Sequence, residues 1–160
     1  MSVIRLETRI KAKQQIVFDL SRSIDFQSEV NRSSDERAVA GRTTGLIGPG
    51  ETVTWRGRHL GIVQSLSTKV TEFDPPHFFA DEMQKGAFKS FRHEHYFIST
   101  GEGTLMRDVF SFRTPLGVLG RLVNFLFLKA YMTNFLKNRN RILKEYAESG
   151  KWKEILKLHQ

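Results

Sequence analysis

Cysteine is absent from these 160 residues, which excludes disulfides, thiolate metal sites and cysteine nucleophiles. No G-x-x-x-x-G-K-[S/T], no G-x-G-x-x-G after a strand, no H-E-x-x-H and no G-x-S-x-G occurs, so nothing supports phosphate-loop, dinucleotide, zincin or serine-hydrolase chemistry. The run Gly45-Leu46-Ile47-Gly48-Pro49-Gly50 is glycine-rich, but its proline and strand context make it a turn. Met1 to Glu7 has no basic region followed by an apolar run, so no signal peptide is expected, and the chain is expected in the cytoplasm. Leu116 to Leu136 is apolar and about long enough to cross a bilayer. Arg121, Asn124, Lys129 and Asn134 interrupt it, and mid-membrane charge is costly, so no spanning helix is expected.

What is present suits one domain with its own core: 39% apolar residues, 26% charged residues and thirteen phenylalanines. The net charge of +8 is uneven, since residues 121–160 hold nine Lys/Arg against three Asp/Glu. A solvated helix face explains that excess, and attraction to an anionic surface is the alternative. No recognised nucleic-acid motif accompanies the charge, so no nucleic-acid partner is expected.

Residues 3–11 alternate, with Ile4, Leu6, Thr8 and Ile10 on one face, and read as a half-buried strand. Lys13 to Arg22 reads as a short helix, and Ile24 to Val30 as a second one capped by Ser23. Strands follow over Glu36 to Gly41, Glu51 to Leu60, Ile62 to Phe73, Phe78 to Gln84, Phe88 to Ser99 and Thr104 to Arg113. Thr114-Pro115 opens a helix that runs to about Ser149 and stops at Gly150, about 50 Å in all. The domain is expected over 1–150, with a short helical tail over 151–160. Consecutive strands with short turns imply an antiparallel sheet, and the C-terminal helix is the element long enough to cover one face.

That element order resembles the START-like superfamily. Gly86-x-Phe88-x-x-Phe91-x-His93-x-His95-x-Phe97 followed by Asp108 is similar to a group of bacterial SRPBCC ligand-binding proteins. Thr54-Trp55-x-x-x-His59-x-Gly61 and Phe73-Asp74-Pro75 add to the likeness. The resemblance implies an α+β helix-grip fold: a curved antiparallel sheet of about seven strands around a long C-terminal helix, with two short helices after the first strand. It also implies a cavity for a hydrophobic ligand. It brings no shared catalytic set and no cofactor.

Strand period puts Phe91, His93, His95 and Phe97 on one face. With a two-residue turn at Gly101-Glu102, His95 falls opposite Asp108, His93 opposite Phe110, Phe91 opposite Phe112 and Phe97 opposite Met106. This face is the more apolar and is expected to point toward the helix. The residues expected to contact ligand are those eight, with Trp55 and Phe78 from the sheet and Leu119, Leu122, Val123 and Leu126 from the helix. His93, His95 and Asp108 are open to four readings: a structural group, polar anchors for a ligand carbonyl or hydroxyl, an acid–base pair, or a metal site. The metal reading is weakened by aromatic surroundings that lack further ligands, and no metal is expected. Trp55 and His59 share strand parity with Val53 and extend the same wall on one reading, and on the other His59 sits in the turn before Gly61. Phe125, Phe127, Leu128, Tyr131, Met132 and Phe135 make the helix apolar on more than one side, which suggests a partner surface, a homodimer or membrane contact.

Three functions compete on this reading: a carrier for a lipid, isoprenoid, quinone or polyketide-like ring; a cyclase, aromatase or dehydratase; and an interaction module using the basic C-terminal helix.

Overall fold

The computed structural model describes residues 1–114 and 124–157. Seven strands form one antiparallel sheet: β1 (Ser2–Ile10), β2 (Arg37–Gly41), β3 (Thr52–His59), β4 (Ile62–Asp74), β5 (Phe78–Lys85), β6 (Ser90–Thr100) and β7 (Gly103–Arg113). Their order across the sheet is β1-β7-β6-β5-β4-β3-β2. Helices α1 (Gln14–Ser21) and α2 (Ile24–Val30) and a 3₁₀ turn (Arg32–Ser34) lie between β1 and β2. A π turn (Asn124–Leu128) leads into the long helix α3 (Lys129–Ser149), and α4 (Trp152–Lys157) follows. This is the helix-grip arrangement. The expected helix start at Pro115, with Leu119, Leu122 and Val123, lies outside the described residues.

Local signals place the elements. The Ser23 hydroxyl accepts from the Phe26 N–H at 3.1 Å and caps α2. Gly150 takes φ +82° and ends α3 in the left-handed conformation that lacks a Cβ penalty. The β6–β7 hairpin has the expected register, including Thr100 opposite Gly103 and His95 opposite Asp108. Inner-face residues of both strands are buried and their neighbours are not, which is the period-two signature of a sheet covered on one side.

The covered face has two ends. At one, α1, α2 and the C-terminal half of α3 close on the sheet. Phe18 is fully buried there and meets Phe73, Phe79 and Phe97 edge-on, with ring centroids at 5.6, 5.7 and 5.3 Å. Ile10, Leu20, Met106, Leu143 and Ala147 complete this core. At the other end Ile4, Phe91, Phe110, Phe112 and Leu136 form a smaller cluster beneath the start of α3. Among the described residues, no helix is long and apolar enough to cross a membrane.

The buried stripe of α3 is Leu136, Arg139, Asn140, Leu143 and Ala147. It is not the stripe expected from apolar spacing: Leu126 is 69% exposed, and Ala130 is exposed as well. Two of the inward positions are polar, so a search for apolar periodicity chooses the wrong phase.

Candidate functional site

Between the sheet and α3 lies a cavity of two chambers. The inner one, about 170 Å³, is bounded by Val53, Val70, Phe79, Phe91, Phe110 and Leu136, with Asp81, His93, His95 and Arg139 on its walls. The outer one, about 490 Å³, is bounded by His59, Leu60, Ile62, Leu128 and Tyr131. Glu36, Trp55, Leu66, Phe88, Met132 and Phe135 line both, so the chambers adjoin across one shared partition.

Strand pairing assembles the polar wall. His93 and His95 are on β6, Asp108 faces His95 from β7, and Asp81 faces His93 from β5. His93 Nε2 lies 3.0 Å from Asp108 Oδ1, and His95 Nε2 lies 2.9 Å from Asp81 Oδ2. Asn140 of α3 donates to Asp108 Oδ2 at 2.7 Å, and Arg139 Nη1 approaches Asp108 Oδ1 at 3.7 Å. The guanidinium is held in turn by the Gln27 side chain and the Ser21 carbonyl. His95 Nδ1 sits 3.2 Å from Asp108 Oδ1, but out of line, and is a buried nitrogen without a hydrogen-bond partner. The two imidazole centroids are 3.8 Å apart.

These contacts separate the two histidines. Burial, then the neighbouring His95 charge, pushes His93 below the ordinary imidazole range despite Asp108. Burial also opposes the His95 cation, but the close Asp108 carboxylate, the hydrogen bond with Asp81 and the charges of both outweigh it and raise His95. Burial would raise both carboxyls; instead the histidines hold Asp81 below its usual value and Asp108 well below. Near pH 6.5 these directions favour a wall of two carboxylates against the His95 imidazolium and the Arg139 guanidinium, with His93 neutral. Asp81, His93 and His95 have ligating atoms within 4.8 Å of one another and are the residues that could hold a metal ion. Each already has a partner of opposite character within the cluster.

Placement of the other expected residues is mixed. Trp55, Phe91, His93, His95 and Phe110 line the inner chamber. Asp108 stands behind the histidines, 1% exposed. Phe97 and Met106 are buried in the filled core around Phe18, because α1 occupies the space above them. Phe112 packs beneath Phe88 at 5.4 Å. Phe78 lies on the opposite face of the sheet, tilted against Tyr96 with ring centroids at 4.8 Å, because its strand parity follows Tyr96 rather than His95. Leu126 is exposed. Tyr131, Met132, Phe135 and Leu128, expected as a surface, turn into the chamber.

Sequence reasoning missed Asp81, Arg139 and Asn140. Asp81 needed the β5–β6 register, which no two-residue turn fixes. Arg139 and Asn140 looked like part of a solvated basic face, yet are 4% and 3% exposed. It also missed a second polar group at the outer chamber, where His59 bridges Glu36 and Tyr131.

The model of the polyketide cyclase / dehydrase and lipid transport family matches residues 1–148. The chain belongs to that family. Solved structures agree on the fold of this family member. A Thermus thermophilus protein aligns with a TM-score of 0.74 at 18% identity, covering 91% of this chain and 97% of that one. A Staphylococcus aureus protein of unknown function aligns at 0.69 and 10% identity over 90% and 93%. Ginseng major latex-like protein 151, from Panax ginseng, aligns at 0.64 and 14% over 91% and 97%. No curated protein matches the chain. At these identities the likeness is one of fold, and function rests on the site itself.

Proposed function

We propose that the protein binds and carries an apolar small molecule of lipid, isoprenoid, quinone or polyketide-like kind. Its body would lie in the outer chamber and its inner end against the His93–His95–Asp81 wall. The observation that carries this reading is the adjoining pair of mostly apolar chambers, about 170 and 490 Å³. Sites for small molecules are concave and apolar, with few convergent polar groups.

The mouth suits such cargo. Leu60 and Ile62 line the outer chamber and are each at least half exposed, as are Val63 beside Ile62 and Leu126 and Phe127 just before the lining residue Leu128. Leu60 holds φ +53° in the β3–β4 turn, a position that ordinarily favours Gly or Asn. Lys85, Lys89 and Arg113 are exposed at the same end of the sheet, and residues 56–66, 85–90 and 111–114 contain no carboxylate. Contact with an anionic bilayer during loading follows from that combination, through this rim and the start of α3 together.

The test is native mass spectrometry of the purified protein, followed by solvent extraction and identification of what it retains. A bound apolar molecule is the expected result. Protein that carries nothing and fails to bind the uncharged probe N-phenyl-1-naphthylamine would overturn the reading.

One observation favours a second reading, catalysis of cyclisation or dehydration. A neutral His93 beside a cationic His95 is an acid–base pair with its two members tuned apart. Turnover of a polyketide-like substrate that disappears in His93→Gln, with the fold retained, would establish it.

A further inference from the structure

A second polar group stands at the outer chamber, apart from the histidine wall. His59 Nε2 lies 2.7 Å from Glu36 Oε2, and His59 Nδ1 lies 2.9 Å from the Tyr131 hydroxyl. The three side chains come from the residue just before β2, the end of β3 and the first turn of α3, and all three line the outer chamber. Two further contacts fix the arrangement. Asn31 Nδ2 donates to Glu36 Oε1 at 2.9 Å, which orients the carboxylate. Gly57 leaves room for it, since a Cβ there would stand 2.9 Å from the Glu36 Cβ.

The bonding order follows from the chemistry of each group. An ionised carboxylate only accepts, so His59 Nε2 carries the proton and donates to Glu36. Where the ring is neutral, Nδ1 is then an acceptor and the Tyr131 O–H donates to it. The phenol proton is thereby committed, and what Tyr131 offers the chamber is its oxygen lone pairs. We infer that Glu36, His59 and Tyr131 form an outer ligand station that accepts a hydrogen bond and selects cargo bearing a hydroxyl. This rests on the carrier reading above and narrows it to hydroxylated apolar molecules.

The inference makes a reversible prediction. In Glu36→Gln, Asn31 keeps the amide oxygen on its side, so the amide NH₂ faces His59 Nε2. That ring must then place its proton on Nδ1 and donate to Tyr131. The phenol proton is released toward the chamber, and the station changes from acceptor to donor.

Equilibrium dialysis of the full chain with three probes of similar size tests this: 2-naphthol, 2-methylnaphthalene and 1,4-naphthoquinone. The methyl compound reports the apolar chamber alone and serves as the control for an intact fold. Wild type is expected to hold 2-naphthol relative to 2-methylnaphthalene about tenfold better than Tyr131→Phe does. In Glu36→Gln the naphthol advantage should fall and retention of the quinone, which only accepts, should rise several-fold. If wild type binds 2-methylnaphthalene but the three proteins rank the probes alike, the station is overturned and the carrier reading survives. If wild type binds none of the probes, the carrier reading falls and the station with it. Should Glu36→Gln lose 2-methylnaphthalene, Tyr131→Phe alone decides.

Discussion

The covered face of one sheet is solid at one end and hollow at the other. Around Phe18, inner-face residues Phe97 and Met106 are buried under helix and line neither chamber, while Phe79 beside them marks the edge of the inner one. Around Phe91 and Phe110 the same strands carry similar side chains, yet the start of α3 stands off and space remains. Side-chain size does not distinguish the ends, since both are rich in phenylalanine. The cover does: α1 and α2 press on one end, and nothing comparable is described over the other. His93, His95 and Asp108 lie at the boundary, where a polar group can be satisfied by strand neighbours on one side and by Arg139 and Asn140 on the other.

The comparison can be broken or sharpened by mutation. Asp108→Asn should have the largest effect, because it removes the buried carboxylate that His93, Asn140 and Arg139 share and leaves the guanidinium without its anion, while His95 keeps Asp81. Loss of one partner in a buried ionic group costs about 3–5 kcal/mol, and chemical denaturation should show it as a lowered midpoint. Leu143→Ala, at the filled end, should cost about 2–5 kcal/mol by creating a void in a packed core. Met132→Trp, at the hollow end, should change stability by less than about 1.5 kcal/mol while abolishing probe binding, because it fills existing space. Equal penalties at Leu143 and Met132 would mean that the two ends do not differ.

The smallest effects concern protons. At pH 6.5, nitrogen chemical shifts should find His95 doubly protonated and His93 neutral with hydrogen on Nε2. The signs then oppose. His95 is raised, so its stabilisation is full below the unfolded value of about 6.5 and is lost as pH rises through its folded value. His93 is lowered, so its contribution is present above about 6.5 and is lost as pH falls through its folded value. In thermal unfolding, His93→Gln should therefore lose less stability than wild type as pH falls below about 6.5, while both proteins share the His95 trend above neutrality.

Much of the fold was legible because alternation and turn chemistry are local. The β6–β7 hairpin is the clearest case: a two-residue turn fixed the register, and the register put His95 against Asp108. The site was legible only as far as that hairpin reached. Asp81 belongs to a strand joined by a looser connection, so its pairing with His93 could not be counted out. Arg139 and Asn140 carry the marks of solvent-facing residues, and only their tertiary partners make them interior. His59 and Tyr131 are 72 residues apart, and Glu36 precedes the weakest strand in the sheet. Phe78 shows the converse: an aromatic residue of suitable type, whose neighbour Phe79 has the inward parity.

The balance of charge on the inner wall has a consequence for what can be carried. Two anions offset by two cations leave no net field to compensate an incoming ion. A fatty carboxylate or a quaternary amine would have to shed its water without electrostatic return, whereas an alcohol or ketone would not. If the proposed carrier reading holds, neutral cargo should therefore be retained in preference to ionised analogues of the same shape.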